Sequence, residues 1–255
     1  MSSIILPRRR FLGGLAAGAG GIALAGCDAL VENPQVDAWV KSAEGLNRRA
    51  QRVVTDRSAL AREFSASEMS PRFKMNGSIN PKTPEYKAAR ANGFADWRLV
   101  IDGLVATPLR LSLAQLMAMP AREQITRHDC VEGWSAIGQW RGTPLALLLK
   151  AAGLSPRARY LIFHCADTIR GVPYYESIDL IDAFHPQTIL AWGMNGQQLP
   201  LGHGAPLRLR VERQLGYKQA KYVMRIQAVE TLAQAGLGKG GFWEDQLGYE
   251  WYAGI

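Results

Sequence analysis

The stretch ITRHDCVEGWS, residues 125–135, places one cysteine, Cys130, between a strand and a turn. The residues EQIT before it favour a strand, and Gly133 after it favours a turn, where a side chain projects into a cleft. A cysteine at such a place has three uses: a thiolate nucleophile, a soft metal ligand or a buried structural residue. The first needs a histidine base nearby in space, and His128 is too close along the chain to identify one.

The other cysteines and histidines extend these alternatives. The chain has three cysteines, Cys27, Cys130 and Cys165. His128 with Cys130 and His164 with Cys165 supply four zinc-type ligands, but at none of the usual zinc-finger spacings. In an oxidising compartment, Cys130 and Cys165 are candidates for a disulfide. No C-x-x-C spacing occurs, so the sequence gives no sign of a c-type haem or an iron–sulfur cluster.

The N-terminus has the pattern of an export signal. Residues 8–12, Arg-Arg-Arg-Phe-Leu, resemble the twin-arginine pattern, and the apolar stretch behind them is too short and too rich in Gly and Ala for a membrane span. Residues 24–27, LAGC, resemble a bacterial lipobox. We predict a signal over residues 1–26 and a lipid anchor at Cys27, on the periplasmic side of the inner membrane. An uncleaved amphipathic anchor is the alternative.

Composition favours a globular protein without a nucleic-acid partner. The 255 residues are 47% hydrophobic and 20% charged, which is enough to bury a core. Of the formal charge of +8, three charges come from residues 8–10, which leaves +5 on residues 27–255. That excess contains no Lys/Arg run with interleaved aromatic residues, so nucleic acid is not expected as a partner.

Two parts are predicted beyond the signal: a tether and helical segment over residues 27–70 and a catalytic domain over residues 71–255. An apolar stripe at roughly heptad steps indicates a helix that packs on the main body. Its members are Trp39, Leu46, Val53, Leu60 and Phe64.

The domain itself is predicted to be α+β. Residues 96–105, DWRLVIDGLV, alternate as a strand with one buried face, and Ser112 with Gln115 forms a capping box. Thr143 as the N-cap and Pro144 at the first helical position predict the start of a helix that ends at Gly153. Many short strands with few helices and no β-α-β rhythm indicate one α+β domain.

Residues 203–222, HGAPLRLRVERQLGYKQAKY, concentrate basic side chains around two glycine turns. Arg208 and Lys221 suit a phosphate, the arginine through its bidentate fork and the lysine as a point charge. The alternating spacing of Arg208, Arg210 and Glu212 fits a solvated basic strand pair equally well.

Residues 128–145, HDCVEGWSAIGQWRGTPL, together with residues 203–222 resemble the oxidoreductase molybdopterin-binding family, whose relatives include sulfite oxidase and the periplasmic methionine-sulfoxide reductase catalytic subunit. The resemblance covers roughly residues 71–255. It implies a mixed, mostly β fold of the sulfite-oxidase type around a molybdenum–molybdopterin cofactor. It also implies that Cys130 ligates the molybdenum.

The resemblance extends to the cofactor contacts. Residues 203–208 match a family motif, (H/N)-G-x-P-x-R, that contacts the pterin phosphate region, and residues 219–221 match a phosphate-binding turn. The implied cofactor-binding residues are Asn76, His203, Arg208, Gln219, Ala220 and Lys221.

The residues after the cysteine favour one branch of the family. Sulfite oxidases continue with Gly-Asn-Arg-Arg, whereas residues 131–135 here are VEGWS, similar to the Val-Glu-Ala-Trp-Ser of the sulfoxide reductase. Trp134, a predicted catalytic residue, and Trp140 suit an apolar substrate of low charge. Arg127 either replaces the missing arginine or is a surface residue.

Three further features have competing interpretations. Tyr174 resembles the catalytic tyrosine of the family, with Tyr175 as its rival and a packed strand tyrosine as the alternative. His164 and Cys165 lie at a family position near the pterin, or belong to the core. The aromatic tail, residues 241–255, wraps the core or rims the substrate funnel.

The implied activity is two-electron oxygen-atom transfer outside the cytoplasm, with a small-molecule or protein sulfoxide, or a similar S- or N-oxide, as substrate. A sulfite dehydrogenase and a non-catalytic cofactor-binding lipoprotein are the alternatives. About 25 residues follow the last strand, too few for an immunoglobulin-like dimerisation domain, so we predict a monomeric catalytic subunit. Because the sequence has no haem motif, we expect a membrane haem-bearing subunit or a quinone-linked electron carrier as partner.

Overall fold

The computed structural model describes residues 34–36, 42–43, 45–46, 49–50, 53, 56 and 58–255. The chain divides into two compact units, Met1–Asp56 and Arg57–Ile255. In the first unit, every described position from 34 to 53 is helical, as the sequence predicts for that part. The predicted signal and Cys27 lie outside the described residues. Within the described part of the chain, no helix is both long enough and apolar enough to cross a membrane.

Ten strands of the second unit form two sheets. They are β1 (Arg98–Gly103), β2 (Leu109–Ser112), β3 (Arg122–Cys130), β4 (Trp134–Pro144), β5 (Tyr160–Ile169), β6 (Val172–Asp179), β7 (Ile189–Met194), β8 (Gln197–Gln198), β9 (Arg208–Arg210) and β10 (Val223–Val229). One sheet has the order β2-β1-β10-β5-β6. The other has the order β3-β4-β7-β8, with β9 paired to β7. Only β1 and β10 run parallel among these pairs, so the predicted mixed, mostly β, α+β fold is confirmed.

The alternating pattern of residues 96–105 forms β1, as predicted. Leu99 and Ile101 are fully buried, and Trp97 before them is nearly so. They belong to the main core cluster together with Phe163 of β5. Burial of one face of β1 therefore fixes the register of that sheet, because a shift of one residue would turn these side chains outward.

Five α-helices accompany the sheets in the second unit. They are α1 (Pro84–Ala91), α2 (Leu113–Ala118), α3 (Leu145–Ala152), α4 (Leu180–Ala183) and α5 (Phe242–Leu247). The predicted capping box begins α2: the Gln115 amide donates to Ser112 Oγ over 3.1 Å, and Gln115 Oε1 accepts from the Ser112 amide over 2.8 Å. Both polar groups at that helix end are thereby satisfied.

Helix α3 begins differently from the prediction. Pro144, and not Thr143, occupies the N-cap position. Thr143 is buried in β4, and its hydroxyl donates to the Leu116 carbonyl of α2 over 2.9 Å. The prediction of Thr143 as the cap is wrong because its hydroxyl already has this partner. Gly153 ends the helix in the left-handed region at φ 67°, as predicted.

The predicted N-terminal helix does not reach Leu60 and Phe64. Glu63 forms a bridge with Thr126, and the Phe64 amide donates to the Ile125 carbonyl over 2.9 Å. Because β3 is an edge strand, it offers free backbone groups to this segment, and pairing with them satisfies the segment without a helix. The heptad stripe is therefore wrong at its last two positions.

Candidate active site

A cavity of about 210 Å³ receives side chains from both sheets. Cys130 of β3 and Arg208 of β9 come from one sheet, and Tyr174 of β6 comes from the other. Asn76, which precedes α1, and Trp243 of α5 also line it. The lining thus joins residues that are far apart in the sequence, and it includes most of the predicted site residues.

Cys130 is the last residue of β3 and lies at this cavity. It pairs with Trp134 across a turn in which Gly133 has a φ of 81°, a conformation that glycine adopts without strain. The Asn76 side chain donates its Nδ2 to Cys130 Sγ over 3.5 Å. Cys130 and Cys165 are both free thiols, so the disulfide alternative is wrong. Cys165 instead directs its sulfur toward the Phe163 carbonyl of its own strand.

Arg208 supplies a buried positive charge to the cavity. Its side chain is 2% exposed, its Nη1 donates to the His203 carbonyl over 3.2 Å, and its Nε has no hydrogen-bond partner among the described residues. Burial, and then the charge of nearby Arg210, lowers the pKa of Arg208 to about 9. A buried N–H group without a partner can donate a hydrogen bond to an anion that binds in the cavity.

Lys221 lies at the same end of the cavity. Its Nζ donates to three backbone carbonyls, those of Asn76 (2.8 Å), Ser78 and Gly202 (3.1 Å). Burial, followed by the charge of Arg208, lowers the pKa of Lys221 to about 7. Neither Lys221 nor Arg208 has a carboxylate salt-bridge partner within the described chain. Two basic side chains without a salt-bridged carboxylate fit a phosphate, so this part of the cavity fits the phosphate-bearing molybdopterin.

Arg210 lies behind the cavity and does not line it. It forms a fully buried salt bridge with Glu212 at 2.5 Å, and its guanidinium lies 4.2 Å from the centre of the Trp140 ring. Gln124 donates to the same carboxylate over 2.8 Å. The solvated alternative for this basic stretch is therefore wrong, because its charges face the interior and are paired or cavity-lining there.

His128 is fully buried, and its Nδ1 lies 3.0 Å from Arg210 Nη1. Because a guanidinium can only donate, this nitrogen accepts and the ring proton lies on Nε2. Burial and the charges of Arg208 and Arg210 lower the pKa of His128 well below its usual value. No cluster of three or more His, Cys, Asp or Glu ligands occurs in the described part of the chain, so the zinc alternative has no support.

The positions of their hydroxyl groups distinguish Tyr174 from Tyr175, the other candidate for the catalytic tyrosine. The Tyr174 hydroxyl lies at the cavity and donates to the Tyr217 carbonyl over 2.9 Å. The Tyr175 hydroxyl donates to Asp245 Oδ2 over 2.5 Å, outside the cavity. Burial raises the pKa of Tyr174 well above its usual value. Tyr174 therefore keeps its proton and remains a hydrogen-bond donor at the cavity.

Several predicted residues lie outside the cavity lining. Trp134 packs edge-on against Phe73, at 6.2 Å between ring centres, and donates its Nε1 to Glu132. Trp140 is fully buried, so its predicted contact with substrate is wrong. His203 and Ala220 do not line the cavity. The His203 backbone carbonyl holds Arg208, and Ala220 is 1% exposed in the core.

His164 and Cys165 are also absent from the lining. His164 Nε2 lies 3.0 Å from Gln227 Oε1 on the neighbouring strand. Gln219, by contrast, does line the cavity, and its amide is fixed by the Val211 and Gln214 carbonyls at 3.3 and 3.1 Å.

Other cavity residues were not predicted. Asp167, on β5, is 4% exposed and carries an unpartnered Oδ1 within the described structure. Glu132 and Tyr217 lie at the same cavity, and the tail contributes Trp243 and Tyr249. The aromatic tail thus borders the cavity, one of the two interpretations left open. Its aromatic content was the only sequence signal for that role.

Comparison with known proteins agrees with this geometry. The model of the oxidoreductase molybdopterin binding domain matches residues 85–236. A chain of Azospira oryzae, provisionally named protein-methionine-sulfoxide reductase subunit YedZ1, is 36% identical over 252 residues, which cover 98% of this chain and 89% of that one.

Two further relatives are protein-methionine-sulfoxide reductase catalytic subunits MsrP. That of Gluconobacter oxydans is 40% identical over 147 residues, covering 52% of this chain and 47% of the relative. That of Xanthomonas campestris is 38% identical over 164 residues, covering 60% and 51%. The chain therefore spans about half the length of these two relatives.

Among solved structures, the sulfane dehydrogenase SoxCD from Paracoccus pantotrophus is similar, with a TM-score of 0.50 and 25% identity over 55% of this chain and 40% of that one. A family match over more than half of the chain coincides with a relative aligned along nearly all of it. The chain therefore belongs to the oxidoreductase molybdopterin-binding family, and it is a molybdopterin-dependent oxidoreductase.

Proposed function

We propose that this oxidoreductase reduces a sulfoxide, or a similar S- or N-oxide, outside the cytoplasm. The observation that carries the proposal is the charge of the lining residues beside Cys130. The basic residues that line the cavity, Arg208 and Lys221, are assigned to the cofactor phosphate. The two lining residues that directly follow Cys130 are Val131 and Glu132, and neither is basic.

Glu132 makes this part of the lining unfavourable for anions. Hydrogen bonds from Trp134 and Lys74 lower the pKa of Glu132, so it is ionised at neutral pH. Lys74 lies 3.2 Å from it and is itself exposed. The Glu132 carboxylate would repel a sulfite dianion, with only the exposed Lys74 to offset its charge, whereas it does not repel a neutral sulfoxide.

The aromatic residues at the cavity suit the apolar part of such a substrate. Trp243 and Tyr249 stack with 5.9 Å between ring centres, and Tyr217 meets Tyr249 edge-on at 5.2 Å. A rigid aromatic wall of this kind binds thioether and sulfoxide side chains through contact area and sulfur–aromatic interactions.

The roles of the chain's own residues follow from their positions. Cys130 would hold the molybdenum, and Arg208 with Lys221 would hold the cofactor phosphate. The bound cofactor supplies the two-electron redox change of oxygen-atom transfer. Tyr174 keeps the proton on its hydroxyl at the cavity, where the Tyr217 carbonyl accepts it, and it would orient a substrate oxygen by donating to that oxygen in place of the carbonyl. Asn76 donates to the cysteine sulfur and so fixes its direction.

The test is a substrate panel on the purified holoenzyme. We expect turnover of dimethyl sulfoxide and methionine sulfoxide with a reduced viologen dye, and little oxidation of sulfite with ferricyanide. Glu132→Gln should raise kcat/KM for sulfite and leave that for sulfoxides within a few-fold, because only the anion senses the removed charge. Efficient sulfite oxidation by the unaltered enzyme would overturn the proposal.

Oxidation of a reduced sulfur compound is the second candidate. The structural likeness to a sulfane dehydrogenase favours it, because that enzyme works in the oxidative direction. A sulfite dehydrogenase that uses Arg127 is less well supported: Arg127 is 57% exposed, pairs with Asp129 at 2.9 Å and lies outside the cavity. The alternative of a non-catalytic lipoprotein is set aside, because the chain is an oxidoreductase.

We also propose a periplasmic location and a membrane redox partner. The twin-arginine and lipobox patterns support the location. The names of the relatives, which describe subunits, support an association with a haem-bearing or quinone-linked membrane protein. Assay of the solubilised enzyme with a quinol should show turnover that depends on added membranes. Turnover with a soluble cytochrome alone would contradict the proposal of a membrane redox partner.

A further inference from the structure

Asp167 lies at an irregularity of β5. Pairing of β5 with β6 shifts register between His164 and Thr168, and pairing with β10 shifts opposite the same stretch. The Ala166 amide donates to the Tyr222 carbonyl over 3.0 Å, and Thr83 Oγ1 donates to the Ala166 carbonyl over 3.2 Å. These two hydrogen bonds hold the irregularity, a β-bulge, in place. Bulges re-aim side chains beside functional sites, and this one turns Asp167 into the cavity.

The carboxyl group has no hydrogen-bond partner at its Oδ1 in the described structure, although the residue is 96% buried. Arg208 and Lys221 line the same cavity. Buried carboxyl oxygens normally have a hydrogen-bond partner, so a carboxyl group that ends in a ligand cavity with one oxygen unpartnered indicates a group on the ligand that completes it.

We propose that the Asp167 carboxyl group shares one proton with the phosphate of the bound cofactor, and so acts as a third phosphate-binding group beside Arg208 and Lys221. A carboxylate and a phosphate dianion would repel one another. One proton between their oxygens replaces that repulsion with a short, charge-assisted hydrogen bond. Solvent supplies the proton when the cofactor binds.

The proton affinities of the two groups are matched. Burial raises the pKa of Asp167 to about 6, against the opposing effects of its own backbone amide and Lys221. The second pKa of a phosphate monoester is also about 6. The other titratable groups that sense Asp167 are Tyr86, Tyr174, Tyr222 and Cys165. They are neutral at that pH, because burial raises the pKa of each.

The first test measures cofactor retention, which does not depend on the substrate. Holoenzyme is dialysed at about pH 5 and about pH 8, and molybdenum and pterin are quantified. The unaltered protein should retain its cofactor about tenfold better at the lower pH, where the shared proton is present. Asp167→Asn should show a smaller difference between the two pH values, because its amide donates without a proton from solvent and only Lys221, whose pKa is about 7, still titrates in this range. Asp167→Ala should retain it poorly at both.

The matched control is Asp182→Asn, because Asp182 is an equally buried carboxyl that accepts from Gln214 at 2.5 Å and lies outside the cavity. It should change unfolding and leave retention unchanged. Equal retention in all Asp167 variants, or an Asn variant as poor as the Ala variant at low pH, would overturn the proposal. The first result would make Asp167 structural, and the second would make it an acceptor from the pterin.

A second test uses inorganic anions on the cofactor-depleted full-length chain. Phosphate carries a proton near neutrality and sulfate does not, so phosphate should raise the melting temperature more than sulfate does. Asp167→Asn should lose this preference and respond to both anions alike. If the unaltered chain responds equally to both anions, no proton is shared.

Discussion

The Asn76 side chain reaches the sulfur of Cys130 over 3.5 Å, although 54 residues separate the two in the sequence. The carbonyl of the same asparagine accepts from Lys221 over 2.8 Å. One residue therefore contacts both the cysteine and a basic residue of the predicted phosphate site. The distance between these two residues is fixed by the protein before any cofactor arrives, which is how a preorganised site lowers the cost of binding.

Cys130→Ser should leave a folded protein whose turnover falls by at least about 100-fold, because a hydroxyl is a harder and less readily ionised ligand than a thiol. Turnover per protein and molybdenum content are the measurements. Cys165→Ser is the matched control, since this second free thiol does not line the cavity. Full turnover of Cys130→Ser with normal molybdenum would show that the metal is held elsewhere.

Arg208→Ala and Lys221→Ala should each lower the cofactor content of the purified protein by about tenfold or more, since each removes a charged contact to a phosphate. Pterin fluorescence after acid release measures that content. Arg127→Ala, an exposed arginine outside the cavity, should leave it unchanged. Normal pterin in both cavity variants would remove these residues from the phosphate site.

Lys218 is fully buried between two carboxyl groups, with Glu176 at 2.6 Å and Glu244 also in contact. Burial raises the pKa of Glu176 well above its usual value, so it holds a proton and the cluster carries no excess charge. Glu176→Gln should therefore cost about 1 kcal/mol or less, whereas Lys218→Met should cost about 3–5 kcal/mol by leaving Glu244 buried and unpaired. Urea unfolding of the three proteins gives both values, and equal costs would contradict the shared charge.

His203 should make the free energy of unfolding depend on pH in the acidic range. Burial, with the charges of Arg208 and Lys221, lowers its pKa from 6.5 to about 4. Between these values the unfolded chain binds a proton and the folded chain does not, so the free energy of unfolding falls as the pH falls through that window. His203→Gln should reduce this slope in urea unfolding of the cofactor-free chain. An unchanged slope would mean that His203 is protonated in the folded state.

The export signal makes a prediction for residues outside the described structure. Replacement of Arg8 and Arg9 by lysine should retain the protein in the cytoplasm, because a receptor reads the arginine pair and not its charge. Cys27→Ser should keep export and release the protein from the membrane. Cell fractionation distinguishes these results, and a Cys27→Ser protein that stays membrane-bound would require another anchor.

Local patterns predicted the local structure well. The alternation around Leu99 predicted β1, and the Ser112–Gln115 pair predicted the start of α2, because each depends on neighbours within a few residues. Thr143 was misassigned because its partner, the Leu116 carbonyl, comes from a different element. The segment at Phe64 was misassigned for the same reason, since it pairs with β3.

The site was predicted where its residues carry a motif. Cys130, Arg208 and Lys221 belong to recognisable stretches and meet at one cavity. Alternation placed Arg208 and Arg210 on one face but left open whether that face meets water or the interior. Asp167 gave no signal, because a shift in strand register cannot be read from composition. Trp243 reaches the cavity by a path of the tail that only the folded chain defines.

The lining of the cavity extends from Asn76 to Tyr249, and it draws on both sheets and on α5. Its walls meet only when these distant segments have folded together, so no local segment can form the site by itself. Folding therefore precedes loading of the cofactor. At the folded but unloaded stage, Arg208 and Lys221 are buried without a salt-bridged carboxylate in the described part of the chain.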